Sequence, residues 1–217
     1  MGLIAERGIE AVIFDMDGTL LDSTESVERC WDQLAAAMGI DRASAPFAHG
    51  VPSIPTIRKC LPDATDSEVL EWNRLHLRLE VEDAGGSTAI PGVFELIAAL
   101  EARSIPWGIA TSCQRDLGEA RHAAAGIPRP EVFVFAEDYA KGKPAPDAFL
   151  KAAEGLGVDP RRTVVVEDAP AGIQGGIDAG AFVCAVTSTH HADELTHAHA
   201  VLSGLHELQH FLLGDRE

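Results

Sequence analysis

Asp15 and Asp17 stand two residues apart in the run DMDGTLLD, residues 15–22. Two carboxylates this close repel. Either a divalent cation compensates or one of the pair holds a proton. Both states suit an attack on phosphate. Gly18 follows them and lets a ligand approach the backbone closely. The apolar run Ala11-Val12-Ile13-Phe14 precedes them and reads as a buried strand ending at a loop. An acidic turn after a strand is the plainer reading of this stretch taken alone.

Three further places pair an element's end with polar side chains. Trp107-Gly108-Ile109-Ala110 reads as a buried strand ending in Thr111-Ser112. These hydroxyls and the N–H groups after them can hold an anion or cap a helix. In KGKPAPD (141–147), Pro144 restrains the backbone around Lys143, or the segment is a surface turn. The strand Thr163-Val164-Val165-Val166 ends in a second acid pair, Glu167-Asp168, which is also compatible with a turn. The joint occurrence of all four, in this order, favours a single site.

The elements needed to position these groups alternate. After residue 88 the pattern is a helix at 92–103, the strand at 107–110 and a helix at 114–125. The strand EVFVFAE and a helix at 146–155 follow, then the strand at 163–166 and a short helix near 171–179. Phe182–Val186 is the next strand, and Ala200–Leu202 is expected to add an edge strand before a tail helix. This alternation predicts an α/β fold with a parallel sheet and helices on both faces. Residues 23 to about 85 are different. Val27, Cys30, Trp31, Leu34, Ala35 and Met38 follow the helix period up to Gly39. A Pro-rich passage follows, to which no element is assigned. Thr65 and Glu68 then have capping-box spacing ahead of a long helix with Val69, Trp72, His76 and Leu79 on one face. The expected organisation is a core of residues 1–21 and 88–217 with an inserted helical domain of residues 22–87. Gly85-Gly86 lie near the return linker.

Composition narrows the function. The 217 residues suffice for one sizeable core with an insertion. A net charge of −17 excludes a nucleic-acid binder that relies on clustered Lys and Arg. An anionic substrate therefore needs a local cation. The four cysteines show no zinc spacing and are expected to be reduced. MGLIAERGIE has no signal-peptide core, residue 6 is not the Ser or Thr of a myristoylation motif, and no apolar run approaches a membrane span. The expectation is a cytoplasmic protein with no nucleic-acid or membrane partner, a monomer or weak dimer. His190, His191, His197 and His199 lack a recognised ligand spacing.

DMDGTLLD, the strand ending ATS, KGKPAPD and VVVEDAPAGIQGG together resemble the haloacid dehalogenase superfamily of phosphatases, over nearly the whole chain. The layout resembles the branch with a helical cap inserted after the first strand of a Rossmann-like core. VVVEDAPAGI and HGVPSIPTIRK look most like its sugar and polyol phosphatases. The resemblance implies that Asp15 is the nucleophile and Asp17 the general acid and then base. Mg²⁺ would be held by Asp15, the Asp17 backbone carbonyl, Asp168 and Glu167. Thr111, Ser112, Lys143 and Gly18 would hold the phosphoryl group. His49 and Arg58 would face it from the cap, and the substrate would be a small sugar or polyol phosphate. A phosphosugar mutase of the β-phosphoglucomutase type is the alternative. A dehalogenase would not need the Asp17 acid. A receiver domain accepts phosphate at a later strand and has no large helical insertion.

Overall fold

The computed structural model describes residues 2–42 and 53–214. The elements in order are α1 (Leu3–Arg7), β1 (Ala11–Phe14), β2 (Leu21–Asp22), α2 (Thr24–Met38), α3 (Ser53–Cys60), α4 (Asp66–Glu82), β3 (Thr88–Ala89), α5 (Val93–Glu101), β4 (Trp107–Ala110), α6 (Arg115–Ala125), β5 (Val132–Val134), α7 (Asp147–Leu156), β6 (Thr163–Glu167), α8 (Pro170–Asp178), β7 (Phe182–Val186), β8 (Ala200–Leu202) and α9 (Leu205–Leu213). Six strands form one parallel sheet in the order β5-β4-β1-β6-β7-β8.

Both faces of the sheet are covered, and the period of two along β1 shows how. Val12 and Phe14 enter an apolar cluster with residues of α1, α5 and α9. Ile13, between them, enters the opposite cluster with Ala148, Phe149, Ala152, Ala153 and Ile173 of α7 and α8. Burial on both faces explains the uninterrupted apolar runs of β1, β4 and β6.

β1 is the central pivot. The chain runs outward through β4 and β5 on one side, then returns to β6, β7 and β8 on the other. In open α/β sheets, ligands bind beyond the carboxyl ends of strands where the order reverses in this way. Phe14 is level with Ile109 on one neighbour and with Val166 on the other. Asp15 therefore leaves the sheet at the height of Ala110 and Glu167.

The helical segment packs separately. Val27, Trp31, Leu34 and Ala35 of α2, Ile57 of α3 and Val69 of α4 make their own apolar cluster. Gly39 stops α2 in a left-handed conformation (φ 68°). The Thr65–Glu68 capping box opens α4, with both reciprocal bonds formed. α3 fills part of the Pro-rich passage, because Pro55 lies in the first turn, where no intrahelical N–H is needed. A two-strand antiparallel ribbon, Leu21 opposite Ala89 and Asp22 opposite Thr88, ties together the outgoing and returning chain. Among the described residues, no helix is long and apolar enough to cross a membrane.

Candidate active site

The carboxyl ends of β1, β4 and β6 and the loop before α7 bring the chemistry-bearing residues together. Asp15 is buried directly after β1, and its N–H donates to the Val166 carbonyl at 2.9 Å, which continues the ladder. The buried Lys143 ammonium donates to an Asp15 carboxylate oxygen and, at 2.7 Å, to Glu167 Oε1. Glu167 Oε2 accepts the N–H groups of Asp168 and Ala169, each at 2.9 Å. Both Glu167 oxygens thus have partners. The side chain orients Lys143 and the backbone that carries Asp168.

Asp168 is fixed by hydroxyls. Thr19 Oγ1 donates to Oδ1 at 3.2 Å, and the Thr189 hydroxyl donates to Oδ2. Gly18 makes this possible. It sits at φ +82°, and a Cβ there would overlap the Asp168 carboxylate and stand 2.8 Å from Thr189 Cγ2. Thr19 and Thr189 are additions to the residues expected from the sequence. Thr19 lies within the first motif, whereas nothing local distinguishes Thr189.

Oxygen atoms of Asp15, Glu167 and Asp168 lie within 4.8 Å of one another. Burial raises the Asp15 pKa well above the ordinary range, with Lys143 opposing and the charges of Glu167 and Asp168 adding. Burial and the Glu167 charge push Asp168 up to about 6. Burial would lower the Lys143 pKa, but Asp15 and Glu167 outweigh it and hold the ammonium charged. One lysine faces three acids, so the cluster is short of positive charge. A hard divalent cation with oxygen ligands fits that deficit and that donor set.

Thr111 is buried at the end of β4, and its Oγ1 accepts the Cys113 N–H at 3.1 Å, while Ser112 beside it is exposed. This loop opens toward α6, whose first residues are Arg115 and Asp116. Asp17 is turned elsewhere. Its Oδ1 accepts from Ser23 Oγ at 2.6 Å and from Arg121 at 2.9 Å, and its Oδ2 accepts the Cys113 thiol at 3.1 Å. The Asp17 side chain is thus outside the three-acid cluster. Arg58 is on α3, about half exposed, and pairs with Asp66 rather than with any group around Asp15. His49 lies outside the described residues.

Arg121 was not anticipated, although its position carries a signal. It shares the buried stripe of α6 with Leu117, Gly118 and Ala125, and a cation on such a stripe requires an acid partner. Glu80, on the buried side of α4 together with Val69 and His76, carries the matching signal.

Residues 9–180 match the family model for haloacid dehalogenase-like hydrolases. The chain belongs to that family, as the motifs and the parallel sheet imply. It is 40% identical over 198 residues to hexitol phosphatase A of Escherichia coli (strain K12), covering 90% of this chain and 91% of that one. Glycerol-1-phosphate phosphohydrolase 2 of Saccharomyces cerevisiae is 33% identical over 199 residues, covering 86% of this chain and 78% of the relative. Among solved structures, CbbY from Rhodobacter sphaeroides in complex with phosphate superposes with a TM-score of 0.78 at 25% identity, over 92% of this chain and 96% of that chain.

Proposed function

We propose that this hydrolase is a Mg²⁺-dependent phosphatase that cleaves a small sugar or polyol phosphate through an aspartyl-phosphate on Asp15. The observation that carries the reading is the convergence of Asp15, Lys143, Glu167 and Asp168 in one buried cluster at adjacent strand ends. The names of the two phosphatase relatives point to the substrate class.

In the first step an Asp15 oxygen attacks phosphorus and the bond to the leaving oxygen breaks. Asp17 gives its proton to the departing alkoxide. In the second step Asp17 takes a proton from water, the water oxygen attacks phosphorus, and inorganic phosphate leaves with the Asp15 carboxylate restored. Lys143, Thr111 and the backbone around Ser112 and Gly18 hold the phosphoryl oxygens. Asp15, Asp168 and the Asp17 carbonyl would hold Mg²⁺, with Glu167 supporting the site from beside it. When bound, the ion supplies neutralisation of the charge on the transferring group. Residues 22–87 act as a cap over the core of residues 1–21 and 88–217, and closure excludes water until hydrolysis.

A phosphate-release screen across sugar, polyol and nucleotide monophosphates, with and without Mg²⁺, tests this. Release is expected from a hexitol or glycerol phosphate, dependent on Mg²⁺. Poor release from every member, together with isomer interconversion in the presence of a bisphosphate, would replace the reading with a phosphosugar mutase.

A further inference from the structure

Asp17 is fastened by an arginine that is itself fastened to the other layer of the molecule. Arg121, on α6, is 4% exposed. One of its terminal nitrogens donates to Asp17 Oδ1 at 2.9 Å, and the other donates to Glu80 Oε1 on α4, also at 2.9 Å. Glu80 is buried too, and its second oxygen lies 3.4 Å from Nδ1 of His76, whose ring lies tilted by 32° against Trp31 at 3.9 Å between centroids. A planar guanidinium bridging two carboxylates is a rigid spacer, because its donors are fixed in one plane. Ser23, the first residue before α2, also spends its hydroxyl on Asp17 and makes no cap bond with it.

The two oxygens of Asp17 are held unequally. Oδ1 takes the two strong donors, Ser23 and Arg121. Among the described residues, Oδ2 takes the thiol of Cys113 alone, a weak donor. A substrate oxygen or a water can displace a thiol from Oδ2 at little cost while Oδ1 stays anchored. Glu80 balances the charge of Arg121, so Asp17 does not face an uncompensated buried cation.

We propose that Arg121 is a positioning residue, which with Glu80 fixes Oδ1 of Asp17 so that Oδ2 is the proton-transferring oxygen. This rests on the assignment of Asp17 as general acid made above. The acid is then in place only while α4 is docked against α6, so the anchorage couples the helical layer to the chemistry.

The test compares kcat/KM for p-nitrophenyl phosphate and glycerol 1-phosphate with Mg²⁺. This ratio reports steps up to departure of the leaving group, so activation of water does not enter it. A nitrophenolate departs without a proton, whereas a polyol alkoxide needs one. Arg121→Met is expected to lower kcat/KM roughly 10–100-fold more for glycerol 1-phosphate than for p-nitrophenyl phosphate, a fraction of the ~10²–10⁴ that a general acid contributes. Equal losses on both substrates, or no loss, would overturn the proposal. Arg121→Met leaves Glu80 buried without its partner and can unfold the chain. The double variant Arg121→Met/Glu80→Met removes both charges and is expected to fold and show the same selective loss. A folded double variant with the wild-type substrate ratio would overturn the proposal as well. Asp17→Asn separates the two levels. If it leaves the substrate ratio unchanged, the acid assignment itself fails. If it shifts the ratio and the double variant does not, only the role of Arg121 fails.

Discussion

Asp15 and Asp17 are neighbours but one in the chain, yet they belong to differently built surroundings. Asp15 pairs with Lys143 and lies within 4.8 Å of oxygens of Glu167 and Asp168, all from strand ends and loops of the sheet layer. Three acids there face one lysine. Asp17 contacts Cys113 and Arg121 from the sheet side and Ser23 from the start of α2, and Arg121 carries the connection on to Glu80 of α4. The comparison teaches a division of labour. On the proposed roles, the group that would receive the phosphoryl is held by the layer common to the whole sheet. The group that would handle protons is held across two layers, through Ser23 of the α2 start and through Arg121 to Glu80 of α4.

The largest expected effect comes from removing the carboxylate proposed as the nucleophile. Asp15→Asn is expected to cut turnover of every phosphomonoester by about 10⁴-fold or more, without discriminating between leaving groups. It should also leave the fold intact, which circular dichroism and thermal melting would check. Residual turnover of a few per cent on an activated ester would put the nucleophile elsewhere.

Next in size is Gly18→Ala. The new methyl group meets the Asp168 carboxylate and Thr189 at a positive φ. Mg²⁺ affinity, read by calorimetry, is expected to fall roughly 10–100-fold, as for loss of an orienting partner. Unchanged affinity would remove Asp168 from the ion site.

The acid cluster also predicts a pH dependence. The Asp168 pKa is raised from 3.8 to about 6 in the folded chain. Its proton competes with the cation, so Mg²⁺ affinity should be fully developed above pH 6 and should weaken as the pH falls through that value. The sign for stability is opposite in the absence of the ion. The unfolded chain releases this proton first, so this group's contribution to stability declines as the pH rises from about 4 to about 6. Thermal melting with and without Mg²⁺ at pH 5 and 7.5 should show the larger ion-induced increment at pH 7.5. An equal increment at both would contradict the buried, proton-competent cluster.

The smallest effect concerns α3 of the helical layer. Arg58→Ala is expected to raise KM for the best polyol phosphate a fewfold and to leave KM for p-nitrophenyl phosphate nearly unaltered. Arg58 is half exposed and pairs with Asp66, an arrangement worth little by itself. Equal changes on both substrates would remove it from substrate selection.

Much of the architecture was legible from local pattern. The strands at Trp107–Ala110, Phe182–Val186 and Ala200–Leu202 lie where their apolar runs are, and α2 stops at Gly39. Four elements escaped. α1 has five residues, too few to display a period. α3 is obscured by the prolines around it. The β2–β3 ribbon pairs two residues with two others 66 apart or more, a relation that no window along the chain contains.

The site divides in the same way. The sequence alone determined which groups stand at the strand ends, because a buried strand is a local apolar run and whatever follows it emerges at its tip. Asp15, Thr111 and Glu167-Asp168 were readable for that reason. Which charges neutralise one another was set by packing in three dimensions. Arg121 meets Asp17 across 104 positions and Glu80 across 41. A buried cation announces that it needs an acid, but the packing of α4 on α6 chooses which one, since Coulomb attraction depends on distance in space and on the water excluded between the layers.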